Sequence, residues 1–148
     1  MKHNVFFSLP GALLVASLIV LYSQSVVLCE SPDQLVVIVN RNFKVDSLSV
    51  AEVRRIFKKE ITVYKGVAVR PIHAPSGSPL RNQFLSQVMG MSSTAEEKYW
   101  EEAKVKKGVS PPIQLSNTVR AVFAAPGAIS YCYRKEFNPT VAKIILSL

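Results

Sequence analysis

The sequence predicts an α/β fold, a three-layer sandwich with helices on both faces of a largely buried sheet. Three observations lead there. Leu35-Val36-Val37-Ile38-Val39-Asn40 is a continuous β-branched run, the pattern of a strand covered on both sides. Helix signals with good caps then alternate with further strand-like runs, in the order β-α-β-α-α-α-β-β. No internal repeat or low-complexity segment interrupts them.

After the first strand, residues 40–46 read as a loop. Ser49-Val50-Ala51-Glu52 matches a capping box, and Leu48 is placed to pack on Val53 as a hydrophobic staple. Val53, Ile56 and Phe57 form the helix's apolar stripe, with Arg54, Arg55, Lys58 and Lys59 outside it or at its end, where cations suit the helix dipole. A turn is expected at Lys65-Gly66, followed by a strand over Val67-Ala68-Val69-Arg70-Pro71-Ile72.

Next comes Pro75-Ser76-Gly77-Ser78-Pro79. Ser78 is a good N-cap, and Pro79 at the first helical position has no N–H to lose. Leu80, Phe84, Leu85 and Val88 recur at helical spacing, and Gly90 closes the run. A strand, a Ser/Gly loop and a helix start together aim backbone N–H groups and two hydroxyls at an anion. An ordinary strand-to-helix turn uses the same residues.

Ser92-Ser93-Thr94 ahead of Glu96-Glu97 predicts a second capping box and a helix through Tyr99, Trp100 and Ala103. Trp100 is expected to pack against the domain. Gly108 to Pro112 breaks that helix, and Pro111-Pro112 makes an extended segment. Ser116 or Asn117 caps a short helix with Val119, Val122 and Phe123 on its apolar face, ended by Ala125-Pro126-Gly127. Ala128-Ile129-Ser130-Tyr131-Cys132-Tyr133 and Val141 to Leu148 complete the set as strands.

The chain has 148 residues and 49% hydrophobic content, enough for one domain with its own core. Residues 1–29 read as a secretory signal or an N-terminal anchor, and residues 30–148 as the single domain. Met1-Lys2-His3-Asn4 is a short polar start, Val5 to Leu21 is almost wholly apolar, and Ser23-Gln24-Ser25 offers small residues for cleavage. The apolar run approaches spanning length, but Pro10-Gly11 weakens a straight helix. Either way the domain is expected outside the cytoplasm, periplasmic or extracellular, free or membrane-anchored. Leu28 before Cys29 argues against a lipid-attachment site. A Cys29–Cys132 disulfide cannot be deduced from spacing, and Cys132 in an apolar run reads as a buried, inert thiol.

The formal charge of +8 is spread over Arg54-Arg55, Lys58-Lys59, Lys104, Lys106-Lys107 and Arg134-Lys135. Without aromatic interleaving, these pairs do not make a nucleic-acid stripe, and no nucleic-acid partner is expected. Enzymatic classes lack their residues. His73 has no carboxylate or thiol neighbours in sequence with which to hold a metal, there is no serine-nucleophile elbow, and no Walker or dinucleotide loop occurs. Glu96, Glu97, Glu101 and Glu102, on a lysine-bearing helix, read as a solvated face rather than an acid/base pair. No cofactor, metal or catalytic residue is expected.

Three separated segments carry a resemblance: Leu35–Asn40 with the Leu48–Phe57 helix, the Ser76-Gly77-Ser78 helix start with Phe84, and Pro126-Gly127-Ala128-Ile129-Ser130-Tyr131. In that order they resemble one lobe of the phosphate ABC transporter substrate-binding proteins, a type 2 periplasmic binding protein family with a Ser-Gly-Thr helix start and a Pro-Gly-Ala-Ile-Gly-Tyr return strand. The resemblance implies that Ser76, Gly77 and Ser78 contact phosphate or a similar tetrahedral oxyanion, in a module accessory to uptake or sensing. Arg81, in the first helical turn, is added to that set from proximity alone.

The departures are specific. Ile72 stands where the family carries a loop arginine, Ser130 replaces a glycine, Ser78 replaces threonine, and the chain is about half the family's length. A lone lobe lacks the second face that excludes water from the ligand, so weak binding is expected unless it dimerises or docks on an envelope or transporter protein. Two other readings stay open: an interaction module of the cell envelope that has lost its ligand, and binding of acidic polymer or lipid through the basic surface.

Overall fold

The structure, a computed structural model, describes residues 31–148. Residues 1–29, read as a signal or anchor, lie outside the described residues, and with them Cys29, whose pairing with Cys132 the sequence leaves open.

A five-stranded mixed sheet in the order β5-β4-β6-β1-β7 forms the middle layer. Its strands are β1 (Leu35–Asn40), β4 (Arg70–His73), β5 (Ile113–Gln114), β6 (Ala128–Tyr133) and β7 (Ala142–Ser147). β4 runs parallel to β5 and β6, whereas β1 pairs antiparallel with both β6 and β7. Successive side chains of a strand point to opposite faces, so β1 must satisfy two apolar layers at once. Leu35, Val37 and Val39 face one cluster with Val53, Ile56, Phe57, Phe84, Leu85 and Val88; Val36 and Ile38 face another with Ala121, Val122 and Cys132. Helices α1 (Val50–Phe57) and α2 (Pro79–Phe84) thus cover one face, and α4 (Thr118–Ala124) covers the other. The three-layer sandwich expected from the sequence is present.

Helix α1 starts at the expected capping box, with the Ser49 side chain accepting from Glu52 N–H and the Glu52 carboxylate accepting from Ser49 N–H. Leu48 and Val53 are both buried in the same cluster. Helix α2 continues into a π-helical turn over Leu85–Met89, which ends at Gly90 with φ +66°. The carbonyl of Val88 in that turn accepts from Arg54 Nε at 2.8 Å.

Two expectations need correction, and two elements were not expected. The run from Val67 to Ile72 is two pieces rather than one strand. β2 (Val63–Tyr64) and β3 (Val67–Ala68) form a hairpin around Lys65 and Gly66, both at positive φ, before β4 begins at Arg70. The two-residue turn was expected, but not the hairpin it closes. Pro111-Pro112 does lead an extended segment, which ends as β5, a short parallel edge strand held at Leu115 N–H by the His73 carbonyl. Helix α3 (Ser93–Lys107) starts from Ser92, whose side chain accepts from Ala95 N–H. No capping box forms there, because the third helical residue is Ala95. Glu96 is the fourth, and it turns inward.

Trp100 is buried as expected, and Asn117 rather than Ser116 caps α4. Cys132 is a free, buried thiol, and burial first, then the Glu136 charge, pushes its pKa up to about 12. Among the described residues no helix is long and apolar enough to cross a membrane, and no three His, Cys, Asp or Glu residues converge to hold a metal ion.

Candidate functional site

The loop from β4 to α2 lies at the carboxyl end of the parallel strands, where open α/β sheets present ligand sites. Pro75 to Ser78 forms a tight turn closed by Ser78 N–H to the Pro75 carbonyl at 3.2 Å. Gly77 occupies φ +75°, a conformation that favours glycine. Ser76 and Gly77 are exposed, and Ser78 is half-buried. The sequence therefore placed Ser76, Gly77 and Ser78 together correctly at a helix start.

Besides the Ser78 N–H, two more of their groups already have protein partners. Ser78 Oγ accepts from Arg81 N–H at 3.2 Å as the N-cap, and its own O–H donates to the Pro75 carbonyl at 2.8 Å. Ser76 N–H donates to Gln114 Oε1 at 3.0 Å across to β5. Ser76 Oγ and Gly77 N–H have no hydrogen-bond partner among the described residues.

Arg81 does not face the loop's solvent side, as its place in the candidate set had required. It is 4% exposed. Its Nη2 meets both Glu96 oxygens at 2.9 Å, its Nε reaches Glu96 Oε2 at 3.3 Å, and its Nη1 donates to the Ala74 carbonyl at 2.9 Å. A buried guanidinium with this bidentate partner is neutralised locally and cannot turn out to an anion without stranding Glu96. The solvated-face reading of Glu96 is corrected by the same contact; Glu97, Glu101 and Glu102 are exposed.

Beneath the loop the ring of interactions continues. Tyr131 Oη accepts from Ala74 N–H at 3.1 Å and lies 2.9 Å from His73 Nδ1. The Glu96 carboxylate facing Nε2 favours the imidazole proton on that nitrogen, and in that tautomer the phenol donates its proton to Nδ1. That nitrogen is buried, without a hydrogen bond, 3.5 Å from Glu96 Oε1. Burial foremost, and then the Arg81 charge, lower the His73 pKa to about 2, so the imidazole is neutral. Burial raises the Tyr131 pKa, which keeps the phenol protonated. His73 and Tyr131 have no solvent exposure, so this cluster lacks a route for substrate.

Sequence reasoning missed Glu96, Tyr131 and Gln114 as parts of this arrangement. One signal was present: Glu96, Trp100 and Ala103 share a helical face at i, i+4 and i+7, and all three are buried. His73 was read as solitary because its partners lie 23 and 58 residues away. At the place of the family's loop arginine, Ile72 is 3% exposed and packs in the α4-side cluster. Ser130 Oγ donates to the Ile72 carbonyl at 2.7 Å, tying β6 to β4. A separate open cleft of about 600 Å³ is lined by Leu80, Ser116 to Arg120, Phe123, Glu136, Asn138 and Val141. Ser76, Gly77 and Ser78 do not line it.

The three segments that carried the resemblance meet in space: β1 pairs with β6, and Phe84 stacks on Tyr131. Solved structures agree. An ABC-type phosphate transport receptor from Vibrio cholerae matches 76% of this chain at 19% identity, with a TM-score of 0.59 and 45% of that protein covered. The fold is that of one lobe of a phosphate-type substrate-binding protein. A putative phosphate ABC transporter substrate-binding protein from Clostridium perfringens, solved with bound phosphate, is similar over the same 76% at 19% identity, with a TM-score of 0.59 and 44% of its length covered. A possible phosphate binding protein from Planctomyces limnophilus matches at 18% identity and a TM-score of 0.51, with 40% covered. This chain spans less than half the length of each. No protein-family model matches it, and no curated protein matches its sequence.

Proposed function

We propose that the chain is an exported, non-catalytic solute-binding module that takes phosphate or a similar tetrahedral oxyanion at the Ser76-Gly77-Ser78 turn. The observation that supports it most is the exposed turn itself. Ser76 Oγ and the Gly77 N–H lie free beside a helix start, and the Ser78 hydroxyl hydrogen can rotate from the Pro75 carbonyl to a ligand while Oγ keeps its cap bond. The Ser76 N–H joins them when Gln114 Oε1 gives way. Arg81 contributes from below by holding the turn, not by touching the anion. A periplasmic or extracellular location, and service to uptake or sensing with an envelope or transporter protein or a second copy, belong to the same proposal.

A second reading is favoured by a different observation. Three of the turn's donors, Ser76 N–H, Ser78 N–H and the Ser78 hydroxyl, are already engaged, and the neighbouring guanidinium is cancelled by Glu96. That is the condition expected of an interaction module whose ligand site has closed.

Isothermal titration of the mature domain with phosphate, sulfate and nitrate separates the two. Saturable phosphate heat, lost in Ser76→Ala/Ser78→Ala, is the expected result. Absence of heat at millimolar phosphate in the folded protein overturns the oxyanion reading in favour of the interaction module.

A further inference from the structure

We propose that His73, Arg81, Glu96 and Tyr131 form a positioning ring, hydrogen-bonded throughout except at the 3.5 Å approach of His73 to Glu96, that fixes the shape of the Ser76-Gly77-Ser78 turn through both backbone groups of Ala74. The inference rests on the oxyanion reading only for its consequence on affinity; the geometry stands apart from it. Starting at Ala74, the N–H donates to Tyr131 Oη, the phenol proton goes to His73 Nδ1, and His73 Nε2–H faces Glu96 Oε1. Glu96 then grips Arg81, and Arg81 Nη1 returns to the Ala74 carbonyl at 2.9 Å. The circuit opens and closes on one residue, the last before the Pro75 to Ser78 turn.

Each contact is made by a group that could have been apolar at lower desolvation cost, because His73, Arg81, Glu96 and Tyr131 are all 5% exposed or less. A core built for stability alone would replace the ion pair with packed hydrocarbon. What four polar side chains supply instead is direction: two of them hold one peptide residue by its donor and its acceptor. Arg81 adds a third restraint, since its own N–H is the donor that Ser78 Oγ accepts. One residue therefore fixes the turn from its first side by guanidinium and from its last side by backbone. Aromatic packing locks the imidazole in place, with Phe57 at 4.9 Å and Phe84 at 5.7 Å between ring centroids.

The test uses Tyr131→Phe, which keeps the ring stacked on Phe84 and removes only the hydroxyl. Amide hydrogen exchange is read at Ala74, Ser76 and Arg81 and, as an internal reference, at Val37 and Ile38 in β1. The expected result is exchange faster by about tenfold at the three loop-side amides, the effect of one lost hydrogen bond, with the β1 amides unchanged. The ¹⁵N spectrum of His73 provides a second signature, an Nε2–H tautomer in the wild type that loses its fixed form in the variant. Equal acceleration at β1, or no change at the loop, overturns the proposal. If Tyr131→Phe does not fold, Glu96→Gln carries the same measurement, because it keeps the shape and one acceptor for Arg81. Phosphate titration of the same samples distinguishes the two inferences. Faster loop exchange in a protein that never binds phosphate supports the ring and rejects the oxyanion reading alone.

Discussion

The ring of Phe84 lies flat on that of Tyr131, with centroids 3.9 Å apart and planes within 6°. One belongs to the helix that follows the Ser/Gly turn and the other to the return strand, so this stack ties the candidate site to the centre of the sheet. Phe84→Ala empties a fully buried position and is expected to lower stability by about 3–5 kcal/mol. Urea unfolding measures it; a loss below ~1 kcal/mol would mean the stack bears little of the packing.

Gly127→Ala is expected to be among the most damaging single substitutions. The residue has φ +80°, and an added Cβ would overlap the Ala68 carbonyl oxygen, which is backbone and cannot swing aside. Its own carbonyl accepts from Arg70 N–H at 2.8 Å where β4 begins. A loss of at least ~3 kcal/mol, read by chemical denaturation, is expected.

Glu96→Ala leaves a buried guanidinium without its counter-charge, at a cost of about 3–5 kcal/mol. Adding Arg81→Met should return part of that loss. A double variant that is as unstable as the sum of its parts would contradict the pairing.

Stability should fall in acid because of His73. Its folded pKa is lowered to about 2, chiefly by burial, whereas an unfolded histidine titrates near ~6.5. Below that value the unfolded chain binds the extra proton, so the stabilisation is complete above about pH 6.5 and declines toward pH 2. The slope from this one group is at most about 1.4 kcal/mol per pH unit. Glu96, Arg81 and Tyr131 face the imidazole, and none offers it a full hydrogen bond at Nε2. Denaturation midpoints of wild type and His73→Phe over pH 4 to 7 check it (roughly two titration widths below the unfolded value); parallel curves would refute the assignment.

The Cys132 thiol, buried with its pKa near 12, should resist aqueous thiol reagents until the chain unfolds. In a Cys29→Ser background, labelling of the native protein at pH 8 is expected to be slow and that of the denatured protein fast.

Much of the architecture was legible because its signals are local. The β-branched run of β1, the Ser49/Glu52 box and the Ser78-Pro79 helix start each specify their element within a few residues. The β2–β3 hairpin was not legible, since a break at Val69, where the N–H pairs with the Thr62 carbonyl, leaves no mark on an unbroken apolar run. β5 escaped because two residues after a Pro-Pro pair show no periodicity. At the candidate site the turn was readable but its electrostatics were not. Arg81 looks like an anion ligand until Glu96, 15 residues on, is seen to cancel it.

The place of β1 has a consequence for biosynthesis. Among the described residues its partners in the sheet are β6 and β7, whose residues begin at Ala128. During synthesis Leu35 to Val39 therefore emerge roughly ninety residues before these partner strands. For that interval the nascent polypeptide carries a sticky segment without its partner strands, and a chaperone that shields such segments would spare it from aggregation.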